Sequence, residues 1–493
     1  MYLVSIPKGI DVSLMASQLE PSIKTVDKAL IEDKLKYLIS LIYRKMLLNI
    51  TEEDNETNKI YLHSTLLKNS LGKKYKAYLE ILEHHRVILR DDAYSAGRHS
   101  KGIRFNPMYM EAPITRVHIK NPRFTKKLTK DESEKMISHK DKLKKAYPEL
   151  YKNIIAANLS INKEEALKYI KGLHRQELLD HRQNPHKVHP DHFYEQRYSK
   201  IMAISERENK MSVDKFGRRA HYFMTNLDSD LRKFITLDGE PLVSLDLKNS
   251  QPYLLNILLK DGFLTGNSGF CLKTSISRSV YTKLQGLGKK KTKAILKKYW
   301  IKGIGDSIIS SCSKSSLVFG TSMLGRLAGT PENKATKTIN FSSLVQQGVY
   351  EFFMREFPEA ADQEGNLLFP DRETTKTSVL KLLYRRNKGW RSDKLFKAFY
   401  QKFPEIATVL IWLKMGNHPD SHKDAPKVLQ RIESHIFLKL IAPKLDKAGI
   451  PFLTIHDSFL VTERHHEKAH DIMFEVLKEV VGVDPVIKVE YLN

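Results

Sequence analysis

Two aspartates at the ends of apolar strands are the residues of this sequence best suited to metal-dependent phosphoryl chemistry. The stretch Pro451–Val461 predicts a β-hairpin with Asp457 at its tip, and Pro241–Leu247 predicts a strand that ends at Asp246. On neighbouring strands, these carboxylates would hold two magnesium ions about 4 Å apart, one activating a 3′-hydroxyl and one neutralising the leaving pyrophosphate. Taken singly, Asp457 also fits a turn residue and Asp246 also fits a helix N-cap.

A third stretch, Asp371–Tyr384, predicts a helix that could bind a triphosphate. Arg372, Lys376, Leu380 and Tyr384 step by four residues and therefore form one slanted stripe on the helix. Arginine and lysine can hold a triphosphate, and the aromatic ring can stack on the incoming base or sugar. An ordinary amphipathic helix with surface cations has the same pattern.

Two further segments contain candidate contacts to nucleic acid. Asp214–Arg218 has the pattern D-x-x-G-R, in which Gly217 permits close backbone approach and Arg218 can reach a phosphate or a minor groove. The helix that precedes the Asp457 hairpin has polar residues that could line a template or primer groove, or form a polar helix edge: Gln430, Arg431 and His435.

Composition points to a polyanionic partner. The 493 residues predict two to four domains, and 82 Lys and Arg against 57 Asp and Glu give a net charge of +25. This excess favours nucleic acid first and an anionic membrane surface second. No apolar run of about 18 residues predicts a spanning helix, and the N-terminus lacks a secretory pattern. Two cysteines, Cys271 and Cys312, form neither a disulfide framework nor a cysteine zinc site, so we expect an intracellular setting.

Residues 1–110 have the element order of a small DNA-binding module. Helices are expected at 28–50, after Ser64 and at 73–86, followed by a hairpin that ends near Phe105. This order resembles the winged helix-turn-helix family, and the alternative is a small helical domain with a basic face. In the winged-helix interpretation, the residues facing DNA phosphates are Lys73, Lys74, Tyr75 and Arg98.

Residues 111–213 are expected to be helical and charged. They contain a group of histidines whose spacing fits no zinc pattern, which favours a polar linker over a metal site: His174, His181, His186, His189 and His192.

A lysine-rich stretch lies farther along the chain, where residues 281–303 contain eight lysines and no acid, with aromatic residues between them. That mixture suits a single nucleic-acid strand, although a solvated charge run has the same composition.

In combination, these motifs resemble the right-hand polymerases of the family-A type, which include family-A DNA polymerases and phage-type single-subunit RNA polymerases. Four motifs follow the family's order over about residues 210–493: Asp214–Arg218, Asp246 (motif A), Arg372 with Lys376 and Tyr384 (motif B), and His456-Asp457 (motif C). The resemblance implies an α+β fold with palm, fingers and thumb and an antiparallel palm sheet. Palm and fingers would occupy 214–493, behind a thumb-like region at 111–213.

The resemblance also assigns roles to individual residues. It implies that Asp246 and Asp457 bind the two catalytic magnesium ions. It implies that Arg372 and Lys376 hold the triphosphate, with Lys376 donating a proton to pyrophosphate. Tyr384 would lie at the sugar of the nucleotide and the end of the template pair, and Arg218 would follow the nascent duplex. We also place His456, next to Asp457, among the nucleic-acid contacts.

The motifs divide between the two branches of that superfamily. Arg-x-x-Thr-Lys-x-Ser-Val-Leu and Ile-His-Asp-Ser-Phe are close to the RNA polymerase forms, whereas the bulky Gln251, five residues after Asp246, suggests deoxynucleotides. We therefore expect a polymerase with a DNA template, an RNA or DNA primer or product, nucleoside triphosphates and no membrane, with RNA synthesis slightly favoured over a DNA polymerase. The alternatives from other classes are a replication initiator or regulatory DNA-binding protein with an inactive palm, and a structural RNA-binding protein.

Overall fold

The fold is described from a computed structural model. The residues that it describes are 2–19, 21, 27–47, 59–91, 102–156, 158–185, 188–207, 210–259, 341, 344–345, 348–361, 365–386, 395–396, 399, 403–414 and 421–492. The predicted DNA contact Arg98 and the lysine-rich stretch 281–303 lie outside these residues. Among the described residues, no helix has the length and apolar character needed to cross a membrane.

The described chain alternates helices with short antiparallel strands. In the first part of the chain, the elements are β1 (Tyr2–Pro7), α1 (Val12–Leu19), α2 (Lys28–Leu47), β2 (Ile60–Tyr61), α3 (Ser64–Leu71), α4 (Tyr75–His84), β3 (Ile88–Arg90), β4 (Gly102–Phe105), α5 (Pro107–Met110), β5 (Ile114–Ile119), α6 (Pro122–Ala146), α7 (Pro148–Ile154), β6 (Leu159–Ile161), α8 (Lys163–Gln183), α9 (Pro190–Ser205), β7 (Ser212–Val213) and β8 (Ala220–His221). In the second part they are α10 (Phe223–Asn226), β9 (Ile235–Leu237), β10 (Glu240–Leu247), α11 (Ser250–Leu255), α12 (Val349–Glu356), α13 (Arg372–Tyr384), α14 (Pro404–Leu413), α15 (Asp424–His435), α16 (Ala442–Lys447), β11 (Phe452–Ile455), β12 (Ser458–Thr462), α17 (His466–Val481) and β13 (Ile487–Tyr491).

The chain forms two compact units, each built from separate segments. Unit 1 comprises Met1–Asp141, Ser160–Met211 and Asn226–Ile235, and unit 2 comprises Lys142–Leu159, Ser212–Thr225 and Thr236–Asn493. One of these limits, between Met211 and Ser212, lies close to the predicted boundary at 213, but none lies near 110. The division into winged-helix, thumb-like and palm-with-fingers domains therefore stays a prediction.

The N-terminal part of unit 1 has the element order predicted for a winged helix. Helix α2 is followed by β2, by α3 and α4, and by the antiparallel pair β3 and β4, in a three-stranded sheet of order β2-β4-β3. On α2, Ile31, Leu35, Leu38 and Ile42 recur every three or four residues and are fully buried, which is the periodicity of an amphipathic helix. DNA binding by this part of the chain stays a prediction.

The predicted role of Tyr75 is wrong. Tyr75 begins α4 and is only 7% exposed, because its ring packs in the hydrophobic core of unit 1. Its neighbours Lys73 and Lys74 are exposed, as a contact to phosphate requires. A tyrosine between two lysines looks like a nucleic-acid contact in sequence, but here the ring contributes to the core and only the cations face solvent.

The histidine-rich segment of unit 1 is helical, as expected, but its histidines pack within the unit, so the linker interpretation is wrong. His174 and His181 lie on α8, His189 is the N-cap residue of α9, and His192 lies within α9. His174 Nε2 is 2.9 Å from Asp191 Oδ1, and buried His192 Nδ1 is 2.8 Å from Tyr43 Oη. Within the described ranges, no group of three or more His, Cys, Asp or Glu is arranged to hold a metal. His186 lies outside the described residues.

The central strand of unit 2 is β10, which confirms an antiparallel sheet. One edge of β10 pairs with β12 from Leu242↔Thr462 to Asp246↔Ser458, and β13 pairs with it from Val243↔Tyr491 to Leu247↔Ile487. Strand β12 continues into the hairpin with β11, and β9 pairs with the start of β10. The sheet is therefore built around the strand that ends at Asp246.

A long helical segment precedes the β11–β12 hairpin. Helix α15 is followed by a π-helical segment, Ile436–Ile441, and then by α16, which has Pro443 near its start. Proline lacks the N–H that an α-helix uses for its i→i−4 bond, which favours a local change of winding beside it. Phe437 from the π segment stacks on Phe459 of β12 with ring centroids 5.5 Å apart, so the segment packs on the hairpin that bears Asp457.

Candidate active site

The sheet of unit 2 brings Asp246 and Asp457 to the same end of two neighbouring strands. Asp246 is aligned with Ser458, the residue after Asp457, and Leu247 N donates to Asp457 O at 3.2 Å. His456 and Asp457 form a two-residue turn between the paired residues Ile455 and Ser458. The two predicted metal-binding carboxylates are therefore neighbours in the fold, although they are far apart in the chain.

The electrostatics of Asp246 also indicate that the carboxylates are close. Burial and the neighbouring Asp457 carboxylate raise the pKa of Asp246 to about 6, while Lys488 and Lys376 act in the opposite direction. Lys488 faces Asp246 across the β10–β13 register. Two carboxylates that repel each other in a partly buried site create a local excess of negative charge, which a bound cation would neutralise.

Helix α13 carries the cations predicted to bind the triphosphate. Asp371 caps this helix by accepting from Glu373 N at 2.9 Å and Thr374 N at 2.8 Å. Lys376 is exposed and close enough to Asp246 to lower the pKa of that carboxyl. The predicted lysine therefore acts electrostatically on the predicted aspartate.

Arg372 lies at the start of α13, beside α12. Its Nε donates to Glu351 Oε1 at 3.0 Å, and its guanidinium lies 5.5 Å from the centroid of the Tyr350 ring. The Arg372–Glu351 pair is exposed, and exposed pairs of this kind contribute little to stability, so a phosphate can replace the carboxylate. The backbone of Tyr384 ends the helix, but its side chain lies outside the described part of the structure.

The D-x-x-G-R segment forms a tight turn closed by its own aspartate. Asp214 accepts from Gly217 N at 2.6 Å, from Arg219 N at 2.9 Å and from His221 Nε2 at 3.2 Å. These bonds lower the pKa of Asp214 to about 2 despite its partial burial. Arg218 has φ of +58°, a left-handed conformation that is uncommon for residues other than glycine.

Helix α15 packs directly on this turn. A Cβ on Gly217 would lie 2.6 Å from Gln430 Oε1 and 2.9 Å from Gln430 Cβ, so the position requires glycine. Arg431 donates to Phe216 O at 2.9 Å and to Lys215 O at 3.0 Å, and Ser434 Oγ donates to Gly217 O at 2.9 Å.

The packing of α15 changes the roles predicted for its polar residues. We predicted a nucleic-acid contact for Arg431, but its side chain is 7% exposed and two of its donors hold the turn backbone. Its side chain therefore stabilises the backbone of the turn. Gln430 packs on Gly217, and burial lowers the pKa of His435, so a nucleic-acid contact by either residue stays a prediction.

Glu433 of α15 is the main site residue that the sequence analysis missed. It is 1% exposed, and its carboxylate accepts from Arg219 Nε at 2.8 Å and from Arg219 Nη2 at 2.9 Å. Glu433 Oε2 also accepts from Gln251 Nε2 at 2.9 Å. Burial raises the pKa of Glu433 to about 7, Arg219 opposes that rise, and Asp457 adds to it.

A signal for Glu433 was present in the sequence. It stands four residues after Leu429, three before Ile436 and four before Phe437, so it occupies the apolar stripe of the predicted helix. A charged residue on a buried stripe requires a partner of opposite charge or a hydrogen-bond donor. Glu433 was therefore a candidate for a structured polar site. The partner itself, Arg219, lies more than two hundred residues earlier and could not be identified from spacing.

His456 has an unusual backbone conformation at the tip of the hairpin. Its φ of +55° is costly for a residue with a Cβ, and outliers of this kind concentrate at functional sites. Burial, Arg219 and His221 lower the pKa of His456 to about 4, so the ring is neutral at pH 7. His456 Nδ1 is buried and unpartnered among the described residues, so this neutral ring offers a free hydrogen-bonding atom beside Asp457.

The residues at this end of the sheet are suitable for magnesium. In proteins, magnesium is usually bound by one or two carboxylates together with water and substrate phosphate oxygens. Asp246 and Asp457 supply two such carboxylates, and their mutual repulsion favours a cation between them. No third carboxylate is required from the protein if the remaining ligands come from a triphosphate and water.

Comparisons with known proteins add little to this geometry. No family model matches the chain, and no curated protein matches its sequence. Among solved structures, the chain is similar to the POL domain of Pol1 from M. smegmatis in complex with DNA primer-template and dNTP. The similarity covers 75% of this chain and 72% of that chain, at 9% sequence identity and a TM-score of 0.31. A likeness this weak carries no argument, so the function has to be inferred from the site.

Proposed function

We propose that this protein is a template-directed nucleotidyltransferase that adds nucleoside triphosphates to a 3′-hydroxyl, with Asp246 and Asp457 as the ligands of two magnesium ions. The observation that supports this proposal is the adjacency of the two carboxylates at the end of β10 and the β11–β12 turn, with Lys376 close to Asp246. Two carboxylates and a nearby cation are the groups that phosphoryl transfer requires from a protein.

The reaction would join the primer oxygen to the α-phosphorus of the nucleotide. As that bond forms, the bond from the α-phosphorus to the bridging oxygen breaks, and pyrophosphate leaves. When bound, magnesium would neutralise the developing charge and lower the pKa of the 3′-hydroxyl. Most of the contribution of the protein is then positioning and charge, because this transfer needs little covalent chemistry from side chains.

The cations of α13 would hold the triphosphate. Lys376 is exposed and lies near Asp246, so its ammonium can contact phosphate oxygens and can donate a proton to the leaving pyrophosphate. Arg372 lies one turn earlier on the same helix, where it can exchange Glu351 for a phosphate. Asp371 occupies the first amides of the helix, so α13 would contact the ligand through its side chains.

Template and primer would contact polar and basic side chains in each unit. In this proposal Arg218 and His456 contact nucleic acid, and the exposed Lys73 and Lys74 of unit 1 contact DNA phosphates. The net charge of +25 supports a polyanionic partner. RNA is slightly favoured over DNA as the product, because the sequences around Lys376 and Asp457 are close to the RNA polymerase forms.

Primer extension with single nucleotides tests the proposal. The full-length protein is incubated with a labelled primer on a template, magnesium and one nucleoside triphosphate at a time, in ribo or deoxy form. We expect a one-nucleotide extension only with the nucleotide complementary to the template base, loss of extension with EDTA and recovery with excess magnesium. Extension independent of the template, or no extension with either sugar, would show that the proposal is wrong.

A further inference from the structure

Strand β13 is an edge of the sheet in unit 2, and its outer side is exposed. Within the described residues, β10 is the only strand that pairs with it. Four of its five residues are exposed, and these include two large apolar side chains, Val489 at 39% and Tyr491 at 47%. An exposed edge strand presents a row of backbone N–H and C=O groups that can bind a further strand.

The hydrogen bonds to β10 determine which backbone groups of β13 point outward. Lys248 N donates to Val486 O at 2.9 Å, and Leu492 N donates to Leu242 O at 3.0 Å. In an antiparallel pair, the residues that are hydrogen-bonded to the neighbouring strand alternate with residues that are not. Every second residue of β13 therefore points its N–H and C=O groups away from β10: Ile487, Val489 and Tyr491.

The charged side chains of β13 make this edge complementary to a second copy of itself. Lys488 is aligned with Asp246, and Glu490 is aligned with Ser244, so both charges lie on the face of the sheet that bears Asp246. In an antiparallel pair of two β13 strands centred on Val489, Lys488 of each copy lies opposite Glu490 of the other. These would be the positions without backbone hydrogen bonds, where opposed side chains approach most closely.

The same charges select one register. The outward backbone groups belong to alternate residues, so a second copy of β13 can shift only in steps that keep those residues opposed. A shift by one step places Lys488 opposite Lys488 in one direction and Glu490 opposite Glu490 in the other. Like charges that lie directly opposite each other destabilise a strand pair. The centred register avoids both and pairs all five residues of the strand.

Within the monomer, the two charges are already close to each other. Lys488 Nζ lies 2.7 Å from Glu490 Oε2, and the two side chains are 51% and 53% exposed. An exposed ion pair of this kind contributes little to stability, so an exchange of partners between two copies costs little. A lone lysine on an edge strand prevents pairing of sheets, because it repels its counterpart. A lysine followed two residues later by a glutamate does not have this effect in the centred register.

We propose that β13 is a homodimer interface, at which two copies of this protein pair antiparallel about Val489 and join their sheets into one. About six backbone hydrogen bonds would connect the outward groups of the two strands, and two Lys488–Glu490 pairs would flank the two-fold axis. The contact is small, so the dimer is weak and reversible. Such pairing does not depend on nucleotidyl transfer by either copy.

Analytical ultracentrifugation of the full-length protein, treated with nuclease to remove bridging nucleic acid, tests the dimer. At about 150 mM salt, repulsion between distant charges is screened. We expect a monomer–dimer equilibrium between about 1 and 200 µM protein, the range that suits an interface of this size. Lys488→Glu and Glu490→Lys each place like charges opposite each other twice, so each should weaken the dimer at least about tenfold. Lys468→Glu, the same charge change at an exposed position on α17, should leave the dissociation constant unchanged.

Two combinations of the charge variants test the register. The double variant Lys488→Glu/Glu490→Lys restores the opposite charges and should dimerise within about threefold of the wild type. An equimolar mixture of the two single variants should form a heterodimer, because one copy then carries two glutamates and the other two lysines. Failure of both combinations to restore pairing overturns the proposed register and the interface built on it.

Val489→Pro tests the interface without a change of charge. Proline removes an outward N–H at the centre of the interface and no hydrogen bond to β10, a position at which an edge strand accepts proline. We expect this variant to keep the far-UV circular dichroism of the wild type and to remain monomeric. A dimer that survives both Val489→Pro and the single charge reversals overturns the proposal. A wild type that stays monomeric at about 200 µM also overturns it and leaves the edge to an extended segment of another protein.

Discussion

At the scale of single residues, Lys376 is the cation of helix α13 that acts electrostatically on the carboxylate of Asp246. Its side chain is exposed, yet its charge acts on Asp246, so it can move to a ligand without breaking the fold. Lysine is a point charge on a flexible stem and can serve both as a phosphate ligand and as a proton donor. Both roles disappear when the ammonium is removed.

We therefore expect Lys376→Gln to lower the rate of nucleotide incorporation on the order of 10²-fold at saturating nucleotide. The melting temperature should not change, because the side chain is exposed. Lys381→Gln, at another exposed position on the same helix, should retain the wild-type rate within about twofold. Single-turnover extension measures both variants, and equal rates for Lys376→Gln and Lys381→Gln would exclude the assigned role.

The positions of individual residues of the candidate site could be predicted from sequence where the pattern is local. Asp457 follows from the hairpin pattern, and Asp246 follows from the end of an apolar strand. The role of Arg431 could not be predicted, because its partners are backbone carbonyls of a turn more than two hundred residues earlier. The burial of Tyr75 likewise depends on tertiary packing that a local pattern of lysines and aromatic residues does not record.

At the scale of secondary-structure elements, the β11–β12 hairpin depends on side chains that cover the outer edge of β11. Tyr222, which is fully buried, donates to Thr454 O at 2.7 Å and accepts from Thr454 N at 2.7 Å. Asn153 Oδ1 accepts from Phe452 N at 3.0 Å. These contacts satisfy backbone groups that an edge strand would leave unpaired, and they fix the strand that leads to Asp457.

Tyr222→Phe removes one hydroxyl that satisfies two buried backbone groups. We expect this substitution to reduce the free energy of unfolding by about 2 kcal/mol, because a buried N–H and a buried C=O lose their partner. Urea denaturation followed by far-UV circular dichroism measures the loss. Tyr491→Phe, at an exposed position, should change stability by less than about 0.5 kcal/mol, and the same small effect in Tyr222→Phe would contradict this account of the hairpin.

Helix α9 contains a buried histidine that makes the stability of unit 1 dependent on pH. Burial lowers the pKa of His192 to about 4, below its ordinary value of 6.5. Between these values, the unfolded chain binds a proton that the folded protein does not bind. Stability therefore decreases as the pH falls from about 6.5 toward 4, and it is retained above 6.5.

Replacement of His192 should weaken this dependence. Between pH 7 and pH 4.5, we expect the free energy of unfolding to decrease by about 2 kcal/mol less in His192→Gln than in the wild type. Urea titrations at the two pH values give the difference. His139→Gln, on the exposed face of α6, should keep the wild-type dependence. An unchanged pH dependence in His192→Gln would show that His192 is not the group responsible.

At the scale of the whole molecule, element order could be predicted better than domain limits. The helix, strand and hairpin order from α2 to β4 and the antiparallel sheet around Asp246 both follow from periodicity and turn residues. The two units could not be predicted, because each is assembled from segments that leave and re-enter it. Hydrophobic patterns indicate which residues are buried, but they do not indicate which distant segment those residues pack against.

The charge of the molecule leads to a prediction about binding. Because the net charge is +25, we expect binding to a primer-template to release counterions from the phosphates, so the logarithm of the association constant falls linearly with the logarithm of salt concentration. Affinity should decrease more than about tenfold between 50 and 200 mM salt. Fluorescence anisotropy with a labelled duplex measures the slope. An affinity that does not depend on salt would exclude an interface dominated by phosphate contacts.

The most direct test of the central claim is the single-turnover rate of nucleotide incorporation after either carboxylate is neutralised. Asp246→Asn and Asp457→Asn keep the shape of the side chains and remove the charges that would hold magnesium. Both should lower the rate on the order of 10³-fold or more and leave affinity for the primer-template within a few fold, while the exposed control Asp471→Asn keeps the wild-type rate. Incorporation within tenfold of the wild type in either variant would contradict the assignment of this site.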